Sequence, residues 1–178
     1  MTSEGKPTGE IASKSEIHKL GLYHNTAHIW IFNEKGHILL QQRSSKKTFH
    51  PLLWDVSVAG HVDSGETIRQ AAVRETREEI SLLISENNLK KIGIFKSFRD
   101  YKNGYIDNEF HHTYICKTDA KISDLIANPD EVESLKFVNK DEFLHILDNI
   151  GKDHHFIASN KSYYQYVFYQ IQDYLKLV

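Results

Sequence analysis

The strongest constraint on this chain is the segment Gly60–Leu82, GHVDSGETIRQAAVRETREEISL. It places four glutamates, Glu66, Glu75, Glu78 and Glu79, on or beside one predicted helix. The last three are spaced i, i+3 and i+4, so they share one helical face. Like charges at this spacing repel each other and destabilise an isolated helix. The simplest use for such a face is to bind hard divalent cations through carboxylate oxygens.

Glycines and arginines surround these glutamates. Gly60 and Gly65 bracket the loop before the helix, and glycine is useful where the backbone turns sharply or approaches a ligand. Arg74 directly precedes Glu75, and a guanidinium can orient a carboxylate by bidentate hydrogen bonds. Divalent ions held here would polarise phosphoryl oxygens and neutralise diphosphate charge. The segment therefore predicts a metal platform, with a solvated, salt-bridged acidic helix as the alternative.

Composition narrows the class of protein. The chain has 178 residues, and we expect one domain with a buried core over residues 1–178. Its formal net charge of −2 argues against nucleic-acid binding by bulk charge. The lone cysteine, Cys116, precludes an intramolecular disulfide and favours a reducing, cytoplasmic location. No apolar run reaches the roughly 20 residues of a membrane span, so no membrane partner is expected.

Hydrophobic patterning predicts strands with a few helices between them. Residues 1–17 form a polar, weakly structured segment, with a hairpin expected around Gly5–Gly9. Strands are expected at 27–33, 37–43, 54–62, 91–98, 109–117 and 133–139. Helices are expected at 66–80 with Ser64 as the cap, at 140–150, and at 161–177 within the C-terminal stretch 160–178. This order indicates a mixed sheet covered by helices on both faces.

The glutamate segment resembles the signature of the Nudix hydrolases. That pattern is Gly, five residues, Glu, seven residues, Arg-Glu, an apolar residue, any residue, Glu-Glu, any residue, Gly and an apolar residue. The positions that match in register are Gly60, Glu66, Arg74, Glu75, Glu78, Glu79 and Leu82. Two positions depart: Thr76 replaces the apolar residue, and Ser81 replaces the second glycine. We expect Thr76 to pack through its methyl group and Ser81 to alter the exit of the helix.

The resemblance implies a fold and a chemistry. The fold is of the α/β class, an α/β/α sandwich with a mixed β-sheet. The activity is Mg²⁺- or Mn²⁺-dependent cleavage of a diphosphate linked to another moiety, by attack of a metal-activated water on phosphorus. Glu75, Glu78 and Glu79 would be metal ligands, Glu66 would act through water or as an orienting group, and Arg74 would hold a glutamate in place. Which glutamate is the general base stays open.

A wider stretch, from about Gly9 to Asn149, resembles the isopentenyl-diphosphate isomerase branch of the same family. The resemblance is carried by His24, by the segment 30–61 and by Asp107-Asn108-Glu109. Isomerases of this type build a metal site from histidines and acidic residues. The candidates for such a site here are His18, His24, His61, Asp107 and Glu109, although His18 and His24 are spaced one residue differently from the pattern.

These isomerases also protonate an alkene with a cysteine and a glutamate. The position of that cysteine is occupied by Ala59, and Cys116 lies on a different predicted strand. Alanine offers neither a proton nor a nucleophile. Because the arginine–glutamate signature is intact and the thiol is missing, we favour hydrolysis over isomerisation.

Other residues are candidates for substrate contacts. Arg43, Lys46 and Lys47 form a basic cluster that could clamp phosphates, with a solvated loop as the alternative. Phe49, Trp54 and Tyr105 could stack on a base or cover a lipid tail, with a core role as the alternative.

The histidines and tyrosines also carry expectations. Eleven histidines are present, and the pairs His111–His112 and His154–His155 are adjacent. Adjacent strand residues point to opposite faces, so His111 and His112 cannot both face one site. His61 lies in the motif loop and is the strongest functional candidate among the histidines, and His61 and Glu109 are also candidates for substrate contacts. The tyrosines of the last helix are expected to pack it or to form the surface of a homodimer.

The sequence therefore predicts a cytoplasmic, metal-dependent hydrolase that cleaves a pyrophosphate bond in a small molecule. Its expected partner is a diphosphate substrate of the nucleoside-diphosphate type or a related one. One alternative is an isopentenyl-diphosphate isomerase-like enzyme. Another is a binding module that holds a nucleotide without metal-dependent release of phosphate and is indifferent to the change Glu78→Gln.

Overall fold

A mixed β-sheet organises the fold. The computed structural model describes residues 1–101, 104–152, 155–157 and 160–176. Its strands are β1 Tyr23–Phe32, β2 Ile38–Arg43, β3 Trp54–Asp55, β4 Val58–His61, β5 Lys90–Asp100, β6 Ile106–Lys117 and β7 Val132–Val138. Its α-helices are α1 Lys14–Leu20, α2 Ile68–Ile80, α3 Lys140–Asp148 and α4 Lys161–Leu175. Two short 3-10 turns cover Glu86–Asn88 and Ile122–Asp124.

The strand order brings the start of β1 beside the start of β6. The sheet runs β3-β2-β1-β6-β5, with β4 paired to β1 and β7 paired to β2. β1 and β6 are parallel, with His24 opposite Glu109 and Phe32 opposite Lys117, and the remaining pairs are antiparallel. Residues far apart in the chain therefore meet at one end of the sheet.

Alternation along β1 divides the core into two halves. Trp30 and Phe32 point to one face, while Ile29 and Ile31 point to the other, as the two-residue period of a strand requires. The first half is completed by residues of α3 and α4, including Phe143, Leu147, Val167 and Phe168. The second is completed by residues of α2, namely Ala71, Ala72 and Ile80. The predicted α/β/α sandwich with a mixed sheet is confirmed.

The N-terminal segment differs from its prediction. Residues 14–20 form α1, whose start is a capping box between Ser13 and Glu16 and whose end is Gly21 at φ 62°. None of the α1 residues is fully buried, so the helix lacks the apolar periodicity that would have revealed it. In place of the hairpin expected around Gly5–Gly9, the Gly5 N–H donates to the Thr2 carbonyl oxygen and closes a tight turn.

The strand predicted at 54–62 is broken into β3 and β4. At the break, the buried Ser57 hydroxyl accepts a hydrogen bond from Ile31 N at 2.8 Å and donates one to Leu39 O at 2.5 Å. The chain thus stays tied to β1 and β2 where regular pairing stops.

Two helix boundaries also differ from the sequence expectation. α2 is capped by Thr67, whose side chain accepts from Gln70 N, and the expected cap at Ser64 is wrong. The last helix is described to Leu175, and the expected final residue, Leu177, lies outside the described residues, as does His154.

The tyrosines of α4 divide between the core and the surface. Tyr163 and Tyr164 are buried, whereas Tyr166, Tyr169 and Tyr174 are exposed. Packing of the helix by tyrosine is therefore confirmed, and the homodimer surface stays a prediction. In the part of the chain that the structure describes, no helix combines the length and apolar character that crossing a membrane requires.

Thr76 and Ser81, the two residues that depart from the Nudix pattern, affect the stability of α2 differently. Thr76 is fully buried, and its hydroxyl donates to the Ala72 carbonyl oxygen at 2.7 Å, so the polar group is satisfied within the helix. Ser81 is the C-cap of α2 and has φ 56°, a left-handed conformation that glycine adopts without penalty. The helix exit is retained, but a side chain is held in a strained backbone.

We therefore expect Ser81→Gly to raise the free energy of unfolding by about 0.5–1 kcal/mol, because the relief of left-handed strain exceeds the added entropy of the unfolded chain. Urea unfolding measures the change. The matched control is Ser85→Gly, at an extended φ of −109°, which should lower stability. Equal effects of the two changes would contradict the assignment of strain to Ser81.

Candidate active site

A cavity of about 580 Å³ opens beside the glutamate helix. Three carboxylates of α2 line it, together with His18 of α1, His61 of β4, and Asp107 and Glu109 of β6. Residues of the basic loop after β2 complete the wall. Residues that the sequence predicted for the site therefore come from distant parts of the chain to line one space, although Arg74, Glu66, Lys46 and His24 are not among its lining residues.

Arg74 connects the glutamates of the motif. Its Nε and Nη2 donate to the two oxygens of Glu66 at 3.0 and 2.8 Å, and its Nη1 donates to Glu75 at 2.8 Å and to Glu78 at 3.1 Å. Nη2 also donates to the carbonyl oxygen of His61 at 3.0 Å. Hydrogen bonds to Glu66, followed by those to Glu75, raise the pKa of the guanidinium. One cation therefore offsets the repulsion that the sequence predicted.

Glu66 serves chiefly to hold Arg74. Besides its bidentate contact with the guanidinium, its Oε2 accepts from Asp63 N at 2.9 Å. The hydrogen bond with Arg74 lowers the pKa of Glu66 against a small opposing effect of burial. Of the two roles open for Glu66 in the sequence, the geometry favours the orienting one.

Gly60 lets β4 lie directly against Glu75. A β-carbon at residue 60 would lie 2.0 Å from Cδ and 2.2 Å from Oε1 of Glu75. The carboxylate therefore occupies the space that any side chain would fill. Gly65 has a different role, since it has open space around it but a φ of 84° that forms the turn before the helix.

Glu79 is a buried carboxylate with an unsatisfied oxygen. The residue is 4% exposed, and its Oε2 has no hydrogen-bond partner among the residues that the structure describes. Burial, and then the nearby charges of Glu75 and Glu131, raise the pKa of Glu79 well above its usual range. An unpaired buried charge is costly unless a cation compensates it. Glu79 and Glu75 both line the cavity, and carboxylate oxygens are the ligands that hard divalent ions prefer.

The histidine–acid cluster forms a second set of donor atoms. Ligand atoms of His18, His24 and His61 lie within 4.8 Å of one another. His24 Nε2 lies 3.5 Å from Glu109 Oε1 and 3.7 Å from Asp107 Oδ1, and His18 Nε2 lies 3.5 Å from Asp107 Oδ1. Sequence reasoning proposed these residues, and the structure brings all five together.

The electrostatics of this cluster suit a cation. Burial lowers the pKa of His61 to about 3, which leaves its ring neutral. Burial also raises the pKa of Asp107, whereas the hydrogen bond with His111 and the nearby ring of His24 overcome burial and hold the pKa of Glu109 well below its usual range. In the described chain, His24 Nε2, His61 Nε2 and Asp107 Oδ1 are buried without a hydrogen-bond partner. Imidazole nitrogen and carboxylate oxygen together are ligands of first-row divalent metals.

The basic residues after β2 take separate positions. Arg43 lines the cavity and lies 3.6 Å from Asp55, while Lys47 lines it beside Glu131, with which it forms an ion pair. Lys46 instead forms an exposed ion pair with Asp130 at 2.6 Å. Only two of the three predicted clamp residues are therefore brought to the cavity.

Aromatic residues divide in the same way. Phe49 stacks on Tyr101 with ring centroids 3.9 Å apart and meets the edge of Tyr105 at 5.6 Å, and all three line the cavity. Trp54 instead packs against the core, with the ammonium group of Lys136 over its ring. This agrees with the core role that the sequence analysis gave as the alternative to a substrate contact.

The cavity residues that sequence reasoning did not single out include His28, Asp55 and Glu131. The signal available for His28 was the two-residue strand period that places it on the same face as His24. His111 and His112 divide as predicted, since His111 lines the cavity and His112 bonds Asn25 Oδ1 at 3.0 Å.

A family model for the NUDIX domain matches residues 22–160, which include α2 and nearly all of the cavity wall. The chain belongs to the Nudix family. An uncharacterized Nudix hydrolase of Clostridium acetobutylicum is 39% identical over 141 residues, which cover 77% of this chain and 67% of that protein. Isopentenyl-diphosphate Delta-isomerase 2 of Photorhabdus laumondii is 35% identical over 128 residues, 72% of this chain and 69% of the isomerase.

Solved structures agree on the Nudix fold. The MutT protein from Methanosarcina mazei Go1 has a TM-score of 0.59 at 17% identity, covering 86% of this chain and 96% of that one. At that identity the likeness concerns the fold alone. The predicted resemblance to both the hydrolase and the isomerase branches is confirmed, and the Nudix chain is an enzyme of the class that acts on phosphoric anhydride bonds. Nudix hydrolases in general use divalent metal ions and small diphosphate substrates.

We expect Gly60→Ala to weaken Mn²⁺ binding about tenfold or more, because the added methyl group displaces the Glu75 carboxylate. Isothermal titration with Mn²⁺ measures the affinity. The control is Gly65→Ala, which strains the backbone without a contact at the new methyl group and should retain the affinity. Unchanged affinity in Gly60→Ala would show that Glu75 does not contribute to the ion site.

Proposed function

We propose that this Nudix enzyme is a divalent-metal-dependent hydrolase that cleaves the pyrophosphate bond of a small diphosphate substrate. The observation that carries the proposal is the buried, unpartnered oxygen of Glu79 beside Glu75, on a helix whose carboxylates Arg74 holds in place. A chain that only bound a nucleotide would have no need of this costly carboxylate.

The α2 carboxylates are the proposed metal ligands. Glu79 offers a buried oxygen, Glu75 is partly buried, and Glu78, about half exposed, offers an oxygen at the solvent side. Mg²⁺ or Mn²⁺ held there supplies charge for the phosphoryl oxygens and lowers the pKa of a bound water. The residues of the chain fix the carboxylates, and one of the three takes the proton of the attacking water.

Arg43 and Lys47 are the proposed phosphate contacts. Both line the cavity, and their positive charge balances that of a diphosphate. Their present partners, Asp55 and Glu131, hold the two side chains at the cavity wall. Lys46 has no part in this proposal, because its exposed partner Asp130 holds it outside the wall.

The histidine–acid cluster is proposed to hold a second cation. Its unpartnered nitrogen and oxygen atoms are those that an ion would satisfy, and His61 joins the cluster to the Arg74 network through its carbonyl oxygen. The Mn²⁺ titration described above reports the stoichiometry, which should be two or more ions per chain if both sets bind and one if only the glutamates bind.

We expect Glu79→Gln to reduce the metal-dependent rate of phosphate release by about 10²-fold or more, because the amide removes a ligand charge from the ion. The measurement is a screen of nucleoside, sugar, coenzyme and prenyl diphosphates with Mg²⁺ and Mn²⁺. Glu78→Gln should act in the same direction.

The control variant is Glu86→Gln, an exposed residue in the 3-10 turn after α2, which should leave the rate unchanged. Circular dichroism checks that each variant is folded. Full activity in both Glu79→Gln and Glu78→Gln would place the chemistry elsewhere in the chain.

The second candidate is an isomerase, favoured by the histidine–acid cluster and by the identity to isopentenyl-diphosphate isomerases. Against it stands Ala59, which lies opposite His28 in the β1–β4 pairing and carries no thiol. The one cysteine, Cys116, lies in the half of the core that packs against α2. Burial raises the pKa of its thiol to about 11.

We expect no conversion of isopentenyl diphosphate into dimethylallyl diphosphate by the metal-loaded enzyme, because Ala59 offers no thiol that could protonate the alkene. Proton NMR follows both diphosphates directly. An authentic isomerase in the same assay is the positive control, and measurable turnover by this chain would overturn the argument from Ala59.

A further inference from the structure

One face of the sheet carries two successive rows of side chains into the cavity. The first row belongs to the histidine–acid cluster: His24 pairs with Glu109, and His61 lies two residues further along the sheet. The second row consists of His111, which lies two residues beyond Glu109 on β6 and level with His61, and of His28 and Ala59, which pair with each other two residues further along. The strand period places both rows on the same face. The second row therefore continues the cavity beyond the proposed metal ligands.

The second row is polar and tightly organised. The rings of His28 and His111 stack with centroids 3.8 Å apart, and His111 Nε2 lies 2.7 Å from Glu109 Oε2. His28 Nδ1 lies 3.3 Å from the hydroxyl oxygen of Tyr163, which accepts a hydrogen bond from Trp30 Nε1 at 2.9 Å. One ring nitrogen of His28 faces the Tyr163 hydroxyl, and the two nitrogens of an imidazole can serve as one donor and one acceptor.

Asp55 adds a carboxylate to this wall. It is 8% exposed, lines the same cavity, and has one oxygen 3.6 Å from Arg43. We call His28, His111, Tyr163 and Asp55 the polar wall. Within the described structure it lies next to Ala59, where the thiol of the isomerases would stand.

The chemistry of the polar wall restricts its occupant. An isoprenoid chain packed against it would remove water from imidazole, phenol and carboxylate groups without replacing their hydrogen bonds, which is costly. A group bearing several hydroxyls replaces that water with equivalent hydrogen bonds. Sites built to bond a polar group reject analogues that lack it far more strongly than apolar sites reject added polar groups.

We propose that the polar wall binds the non-phosphate half of the substrate and that this half is a hydroxyl-bearing, sugar-like group rather than an isoprenoid chain. The inference rests on the proposed function to the extent that the diphosphate half is taken to lie at the α2 carboxylates. It assigns specificity to four residues outside the Nudix motif. His28 is its central residue, because it contacts both His111 and Tyr163.

The test uses two uncleavable ligands that differ only in the group under study. They are the ribose-5-yl and the isopentenyl monoesters of methylenediphosphonate, titrated into the Mg²⁺-loaded protein by calorimetry. Because neither is hydrolysed, binding is measured separately from turnover. We expect the ribose ester to bind about tenfold tighter or more in the wild-type protein. Equal binding, or tighter binding of the isopentenyl ester, would overturn the inference.

Variants locate the preference within the cavity. His28→Leu should bring the ratio of the two dissociation constants close to one, and His28→Gln should retain part of it because an amide keeps a donor and an acceptor. The matched control is His112→Leu, next to His111 but on the opposite face, which should keep the wild-type ratio. A wild-type ratio in folded His28→Leu would also overturn the inference.

The outcomes separate this inference from the proposed function. Phosphate release is measured in parallel with the cleavable diphosphates of ribose and isopentenol. If the ribose ester binds more tightly but no metal-dependent release of phosphate is seen, the proposed hydrolase function is wrong and the assignment of the polar wall stands. Release from both diphosphates at the same rate, with equal binding of the two esters, would retain the hydrolase and remove the assignment.

Discussion

The guanidinium of Arg74 is the interaction on which the site depends. Glutamates at i, i+3 and i+4 would destabilise α2, and no hydrophobic contact could correct that repulsion at the cavity side of the helix. Arg74 bonds Glu66, Glu75 and Glu78 together and reaches the backbone of β4 at His61. It therefore fixes the helix to the sheet and the carboxylates to the helix, while Glu79 is left with an unsatisfied oxygen.

Two kinds of donor atom converge on one cavity from the two sides of β4. Gly60 faces α2 and admits the Glu75 carboxylate, whereas His61 and Ala59 pair with Thr26 and His28 on the other side. The glutamates of the hydrolase signature and the isomerase-like histidine–acid cluster thus lie in the same structure, and the presence of one does not argue against the other. The resemblance to both branches of the Nudix family reflects this arrangement. What distinguishes the chain is the side chain at residue 59 and the polar residues that surround it.

The sequence was sufficient where a local pattern determines the structure. The register of Gly60, Arg74 and the glutamates predicted α2 and its face, because helical spacing is a property of neighbouring residues. It was insufficient for α1, which has seven residues, none of them fully buried, and is recognisable only from its caps. The polar wall depends on the pairing of β1 with β6 and on the docking of α4, contacts between residues more than eighty positions apart for His28 and His111. Spacing along one chain does not reveal such pairing.

The parallel pairing of β1 with β6 has a consequence for how this family of sites can change over evolutionary time. On each strand, the side chains that face the site are an even number of residues apart. They are His24 and His28 on β1, and Asp107, Glu109 and His111 on β6. The insertion or loss of a single residue within either strand would turn the following donors toward α2 and bury them in an apolar core. Length changes are therefore expected in the loops, while within these two strands the site can diversify only by substitution.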